Sequence, residues 1–194
     1  QRGRDGGSRR QAQFDLGLSR QLSASAVLAS LALDDGTRHY ASVGLHGFWQ
    51  GFITTASAVR ASGGGRLDEL GIKTRLGGLA LSASRAWTRD FVSQLYLPGP
   101  DLVRRRDDIR VDGVLGGALP LALGLRRDQL ASGREQLELG ARLSAYRYGT
   151  ALSHGLRWQS RDGRKLADAV MQASRRMAGI GLSAQLHYTI EPRA

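Results

Sequence analysis

The sequence predicts an all-β fold of about twelve antiparallel strands that follow one another up and down in chain order. Three observations lead to this prediction. Apolar and polar residues alternate with a period of two along most of the 194 residues, the alternating segments are long, and short turns alternate with longer polar connections. A chain with these properties is expected to form one large meandering sheet.

The alternation is clearest near the end of the chain. Between Ile180 and Ile190 every second residue is apolar, and the residues between them are Gly, Ser, Gln, His and Thr. A strand places successive side chains on opposite faces, so this segment predicts a strand with one apolar face. The same pattern occurs at 12–19, 68–76 and 135–147.

Strands are predicted along residues 12–190, after a polar N-terminal stretch at 1–11 that we expect to be disordered. One segment, Gly163–Met177, also fits a helical stripe of apolar residues. A strand is favoured there because the segments on both sides are strands. The predicted strands are residues 12–19, 22–33, 39–47, 51–61, 68–76, 79–88, 108–116, 119–129, 135–147, 150–159, 165–175 and 178–190.

The connections alternate in length. Many of the strands have about the 10 residues that a tilted strand needs to cross a bilayer, and aromatic residues lie close to their ends, as in the interfacial girdles of membrane barrels. We therefore predict an antiparallel up-and-down transmembrane β-barrel, or a segment of one, in a bacterial outer membrane, with its short turns towards the periplasm. Short turns are expected at 19–21, 48–50, 77–78, 116–118, 148–149 and 176–177, and longer polar connections at 34–38, 62–67, 88–107, 127–134 and 160–164.

The composition excludes several kinds of function. The chain has no Cys, which excludes a disulfide framework, a thiolate metal site and a Cys nucleophile. No run of about 18 apolar residues is present, which excludes a transmembrane helix. The four histidines lack metal-ligand spacing, and Ser, His and Asp are scattered without a GxSxG motif. We expect neither an enzyme nor a metal or cofactor site.

The chain carries a formal net charge of +11, and almost all of its positive charge is Arg. Such a chain attracts polyanions, including anionic lipid headgroups and lipopolysaccharide. Arginines on the polar side of a barrel would make its lumen prefer anions. The lumen-facing candidates are Arg75, Arg126, Arg142 and Arg157, and a charge cluster in the longest connection consists of Arg104, Arg105 and Arg106.

Three stretches resemble the transmembrane barrel of pilus ushers, the outer-membrane pores that assemble and secrete fimbrial subunits. Phe14–Ser23 resembles a recurrent strand–turn–strand phrase of that family, Tyr40–Leu45 resembles the strand that follows, and Gly77–Ser84 resembles a glycine turn leading into a strand. The resemblance implies a passive conduit for surface-fibre subunits, with pilus subunits and their chaperone as partners. It further implies that the chain forms about half of a barrel of roughly 24 strands.

Two other functions fit the same sequence. One is a different outer-membrane barrel, such as a general porin or the translocator of an autotransporter, although residues 1–13 are too rich in Gly and Arg to resemble the pore-threading helix of the latter. The other is a soluble basic β-protein that binds nucleic acid. The arginines are spread along the whole chain without an aromatic–basic strand motif, so nucleic acid is the less expected partner.

Overall fold

The fold is known from a computed structural model, which describes residues 10–33, 36–93, 95–96, 101–161, 163–177 and 180–190. Within these ranges the secondary structure consists of strands, and no helix is long or apolar enough to cross a membrane. The twelve strands are β1 (Arg10–Gly17), β2 (Leu22–Leu33), β3 (Gly36–Trp49), β4 (Phe52–Ala61), β5 (Arg66–Leu76), β6 (Leu79–Arg89), β7 (Val103–Leu115), β8 (Leu119–Leu130), β9 (Glu135–Arg147), β10 (Thr150–Arg161), β11 (Arg164–Met177) and β12 (Ile180–Ile190).

Each strand lies beside the next one in the sequence, in the order β1 to β12 of a single sheet. The order begins at β1 and ends at β12, so the described part of the sheet is open, and the closed ring of a complete barrel is not seen. The chain divides into two compact units. The first contains the described residues up to Lys73, with Ser84–Arg106 and Gln129–Gly133, and the second contains Thr74–Ala83, Asp107–Asp128 and the described residues from Arg134 onward.

The strand pattern predicted from the alternation is confirmed for all twelve strands, including the segment that also fitted a helix. That segment is β11, which pairs in antiparallel register with β10 and β12. Its alternating residues face neighbours of the same kind, because Ala169 lies opposite Leu156 and Asp168 lies opposite Arg157. Pairing with both neighbours therefore decides that this segment is a strand and not a helix, a choice that local periodicity left open.

Two connections and the start of the first strand differ from the prediction. Two connections expected to be longer polar loops are only two residues long, because β2 ends at Leu33 and β3 begins at Gly36, and because β10 ends at Arg161 and β11 begins at Arg164. The first strand begins at Arg10, so residues 10 and 11 do not belong to the disordered stretch that we expected, while 1–9 lie outside the described residues. Among the connections between the described strands, only the one between β6 and β7, from residue 90 to 102, is longer than four residues.

The first unit has one apolar face, which the strand register defines. Residues directly opposite each other on antiparallel strands share a face, and Phe14 lies opposite Ala26, which lies opposite Val43. Most of the larger side chains on this face are exposed, Phe14 at 67% and Val43 at 62%. The apolar face of the first unit contains Ala12, Phe14, Leu16, Ala24, Ala26, Leu28, Ala41, Val43, Leu45, Ala56 and Ala58.

The second unit has an apolar face of the same character. Leu143 lies opposite His154, and His154 lies opposite Met171, so the face continues across β9, β10 and β11 with one histidine in it. Most of its large side chains, such as Leu156 and Leu186, are exposed. This face contains Leu139, Ala141, Leu143, Leu152, Leu156, Trp158, Ala167, Ala169, Met171, Ala173, Ala184, Leu186 and Tyr188.

Candidate functional site

The opposite face of each unit is polar and is the candidate functional surface. In the first unit, Ser25, His46 and Thr55 lie on it, and the Ser25 hydroxyl is 3.2 Å from Nε2 of His46. This end of the polar face lies next to the β1–β2 and β3–β4 turns. The polar face of the first unit contains Gln13, Asp15, Ser23, Ser25, His46, Thr55 and Ser57.

Towards the other ends of the same strands, this face of the first unit becomes apolar and is covered. Tyr40 is 7% exposed and Phe91 is 6% exposed, and their rings meet edge-on with centroids 5.8 Å apart. Phe91 belongs to the long connection after β6, so the first residues of that connection fold back over the sheet. The residues that pack around this pair form the core of the first unit, namely Leu67, Ala86, Ala29, Leu31, Val59, Ala61 and Tyr96.

Hydrogen bonds fix the start of this connection against the sheet. The Tyr40 hydroxyl donates to the carbonyl oxygen of Val92 at 2.7 Å. The Ser93 amide donates to the Tyr96 carbonyl oxygen at 2.8 Å, which closes a turn. Buried polar groups need such partners, so the Tyr40 bond both satisfies the hydroxyl and sets the position of the connection.

Two further contacts hold the described residues of the connection. The Arg106 guanidinium lies 4.6 Å from the centroid of the Tyr96 ring and donates to the Leu95 carbonyl oxygen at 3.2 Å. At the far end, the Asp101 carboxylate accepts hydrogen bonds from the amide and the hydroxyl of Ser132, at 2.8 and 2.5 Å. The connection is therefore tied to β7 and to the turn between β8 and β9.

The polar face of the second unit carries a ladder of charged and amide side chains. Arg157 forms an ion pair with Glu138, with Nε to Oε1 at 2.9 Å, and lies opposite Asp168. Asp168 in turn accepts a hydrogen bond from the Thr189 hydroxyl at 2.8 Å. The polar face of the second unit contains Glu138, Arg142, Ser144, Ser153, Arg157, Gln159, Asp168, Gln172, Gln185, His187 and Thr189.

A second charged group lies on β7 and β8. The Asp108 carboxylate accepts from Nε of Arg110 at 2.7 Å and from Nε of Arg126 at 3.2 Å. One carboxylate thus accepts from two guanidinium groups, and a second carboxylate, Asp112, acts electrostatically on Arg110.

The predicted arginines occupy different settings. Arg142 and Arg157 lie on the polar face of the second unit, each opposite a glycine on the neighbouring strand, and Arg126 contacts Asp108. Arg75 is exposed near the end of β5, on the opposite face of that strand from Leu76. Arg126 and Arg157 therefore have carboxylate partners, and local alternation alone does not reveal such pairs.

The predicted loop cluster is wrong in its location. Arg104, Arg105 and Arg106 lie within β7, which begins at Val103, and not in a loop. The strand extends into the segment that was expected to be loop, because pairing with neighbouring strands satisfies the backbone of this charged stretch. Arg106 holds the connection through Tyr96 and does not belong to a free charge patch.

Sequence reasoning missed the packing of the β6–β7 connection on the sheet. A signal was present in β2, where the alternation fails and Ala26–Leu33 is apolar on both faces except for Ser30. A continuous apolar run indicates a strand covered on both sides. The partner, Phe91, could not be identified, because nothing in the sequence brings it to Tyr40.

The described residues contain no group of His, Asp or Glu that could hold a metal ion. The polar faces offer charged and hydrogen-bonding side chains. Comparison with known proteins adds no assignment, since no protein-family model, no curated protein and no solved structure matches the chain.

Proposed function

We propose that this chain forms the wall, or part of the wall, of an outer-membrane β-barrel and serves as a passive conduit of the pilus-usher type. The observation that carries the proposal is the apolar face in each unit, where most of the large side chains are exposed. The exposed fraction is 67% for Phe14 in the first unit and 38% for Tyr188 in the second. The described residues supply no second layer of structure over either face.

Lipid is the natural cover for such a face. Burying apolar surface is favourable by about 25 cal/mol per Å², and soluble monomers rarely expose contiguous apolar patches of more than a few hundred Å². A soluble sheet would need a packed layer on this side. A bilayer covers it without further protein, provided that every backbone group is paired.

The dimensions of β3 fit a membrane. On the apolar face, His39 and Trp49 are separated by roughly ten residues, which is roughly 34 Å along an extended strand and about 26 Å across a membrane at a tilt of about 40°. The apolar band of known barrels is about 25 Å tall. An aromatic residue at one end and an ionisable residue at the other are the arrangement expected at the two interfaces.

The polar faces would then line a wet passage. A tight soluble core would not accept so many charged groups, whereas a water-filled lumen does. In this proposal Arg75, Arg126, Arg142 and Arg157 face the passage and favour anions. Transport needs no chemical step by the chain, and its partners would be outer-membrane lipids and, for an usher, pilus subunits with their chaperone.

The usher type is supported by the resemblance of short phrases and by where they fall. Phe14–Ser23 spans the end of β1, a turn and the start of β2, and Gly77–Gly78 is the turn before β6. A general diffusion pore is the second candidate. It is favoured by the β6–β7 connection, since Phe91 and Tyr96 pack on the same side as the polar face and would narrow a passage there.

Fractionation of the intact protein in its own cell, with a urea wash of the membranes, tests the proposal. Retention in the outer membrane after the wash is expected. Release as a soluble protein would overturn the proposal and favour a soluble basic protein that binds polyanions. If the protein is retained, deletion of the protein distinguishes the two candidates. Secretion of pilus subunits should stop if the protein is an usher and should continue if it is a general pore.

A further inference from the structure

A basic rim borders the apolar face of the first unit at the strand ends away from the β1–β2 and β3–β4 turns. Arg10 lies opposite Ser30, and Ser30 lies opposite His39. Arg60 lies opposite Ala41, which follows His39 on the same face of β3. The register therefore places Arg10, His39 and Arg60 on the apolar face. Three strand spacings, about 14 Å in total, separate β1 from β4.

A groove of about 670 Å³ lies between these residues. Ala12, Leu28 and Ala41 form its apolar part, which lies one step further into the apolar face than Arg10 and His39 and level with Arg60. Arg10 and Arg60 stand at its two sides, with His39 between them. The groove thus offers positive groups directly beside a hydrocarbon surface.

The rim is positively charged over the residues that the structure describes. In the described ranges, neither Arg10 nor Arg60 takes part in an ion pair, and the carboxylate on the apolar side of β5, Asp68, is paired with Arg66. All three rim residues are exposed. Exposed guanidinium groups next to an apolar surface attract an anion that is itself joined to an apolar body.

We propose that Arg10, His39 and Arg60 form a binding site for the phosphate-bearing headgroup of an anionic membrane lipid, whose acyl chain lies along Ala12, Leu28 and Ala41. This site rests on the proposed function, because a lipid reaches it only if the apolar face lies in a bilayer. Each arginine can bind phosphate with two donors at once, and the imidazole N–H of His39 adds a further donor. At the other end of the same face the rim is aromatic, with Trp49 and Phe52.

The test uses the full chain folded in a neutral maltoside detergent, with dioctanoyl-phosphatidylglycerol and dioctanoyl-phosphatidylcholine as probes and native mass spectrometry as the readout. The unsubstituted chain is expected to retain the anionic lipid in preference to the zwitterionic one. Arg10→Gln with Arg60→Gln should weaken that retention roughly tenfold to thirtyfold, from about 1 kcal/mol per cation at a membrane surface.

Two matched control variants accompany the Arg10→Gln with Arg60→Gln variant. Arg75→Gln with Arg142→Gln makes the same change in net charge away from the rim and should retain the lipid as the unsubstituted chain does. Arg10→Lys with Arg60→Lys keeps the charge and should retain most of the binding. Inorganic phosphate in millimolar excess should not displace the lipid, because it lacks the acyl chain.

The outcomes distinguish failure of the proposed lipid site from failure of the proposed membrane function. Equal retention of both lipids, equal loss in the Arg75/Arg142 variant, or displacement by inorganic phosphate would each overturn the lipid site. If the chain also resists the urea wash, the membrane proposal survives that result. Release of the chain by the wash would overturn both.

Discussion

The arginines of the polar faces differ in their contacts. An arginine that is paired with a carboxylate would attract anions less than one that is not. Arg126 shares Asp108 with Arg110, and Arg157 is paired with Glu138. Arg142 lies opposite a glycine on β10. The positive charge of the proposed passage is thus partly compensated, and the anion preference that we propose would depend on the surplus of arginine over carboxylate.

Reversal of four charges tests that surplus. Arg75, Arg126, Arg142 and Arg157, each changed to Glu, should turn an anion-preferring passage into a cation-preferring one, because each substitution replaces a positive charge in the lining with a negative one. The measurement is the reversal potential in planar bilayers across a salt gradient. The four Arg→Lys changes serve as the control, and an unchanged reversal potential in the Glu variant would remove these residues from the lining.

One glycine is needed for the packing of the β6–β7 connection. A Cβ atom on Gly65 would lie 2.5 Å from the carbonyl oxygen of Asp90 and 2.9 Å from the Cα of Phe91. Both are backbone atoms, so no side-chain rotation relieves the overlap. A Cβ on Gly63, two residues earlier, would be 3.7 Å from its nearest neighbour, the tip of the Arg38 side chain.

Gly65→Ala should therefore lower the free energy of unfolding by about 1–3 kcal/mol, as is usual when extra atoms are forced into a packed site. Gly63→Ala is the matched control and should change it much less. Tryptophan fluorescence during urea unfolding in lipid vesicles measures both. Equal stability of the two variants would show that Asp90 and Phe91 do not lie against Gly65.

Among the elements, the β6–β7 connection is the one whose structure depends most on distant residues. Its described start is held by the Tyr40 hydroxyl and by ring contacts of Phe91 with Tyr40 and Tyr96. The strands, by contrast, follow from local alternation, and their predicted positions agree with the structure to within a few residues except at β7, which begins at Val103 and not at residue 108. Elements made by short-range patterning were predictable, and the element made by long-range packing was not.

Tyr40→Phe should loosen this connection. It removes the hydrogen bond to Val92 and leaves a buried carbonyl oxygen without its donor, a loss of about 1 kcal/mol or more. Cleavage by chymotrypsin between Phe91 and Tyr96 should then be roughly fivefold faster, because opening of the segment is more frequent. Tyr146→Phe, at an exposed ring on β9, is the control, and equal cleavage rates in the two variants would contradict the anchoring role of Tyr40.

For the whole molecule, the question is which solvent meets the apolar face of each unit. Met171 lies on the apolar face of the second unit and the adjacent Gln172 lies on the polar face, and both side chains are exposed. The two positions share a strand and lie at nearly the same height along it. They differ in the side of the sheet, which makes them a matched pair.

Met171→Arg should prevent or weaken folding into lipid vesicles, by about 2–4 kcal/mol if the position lies near the middle of the membrane. Gln172→Arg should fold as the unsubstituted chain does, since its side chain would enter water. Folding is followed by the change in electrophoretic mobility of unheated samples. Tolerance of both substitutions would mean that water, and not lipid, meets the apolar face.

The sequence by itself determined the twelve strands and the separation of an apolar from a polar face, because a strand sets its two faces residue by residue. Only the tertiary structure decided which charges are paired and what covers the core of the first unit. Tyr40 and Val92 are 52 residues apart, and Asp108 meets Arg126 across 18. Such contacts depend on the register of neighbouring strands and on the path of a long connection, neither of which is encoded in local periodicity.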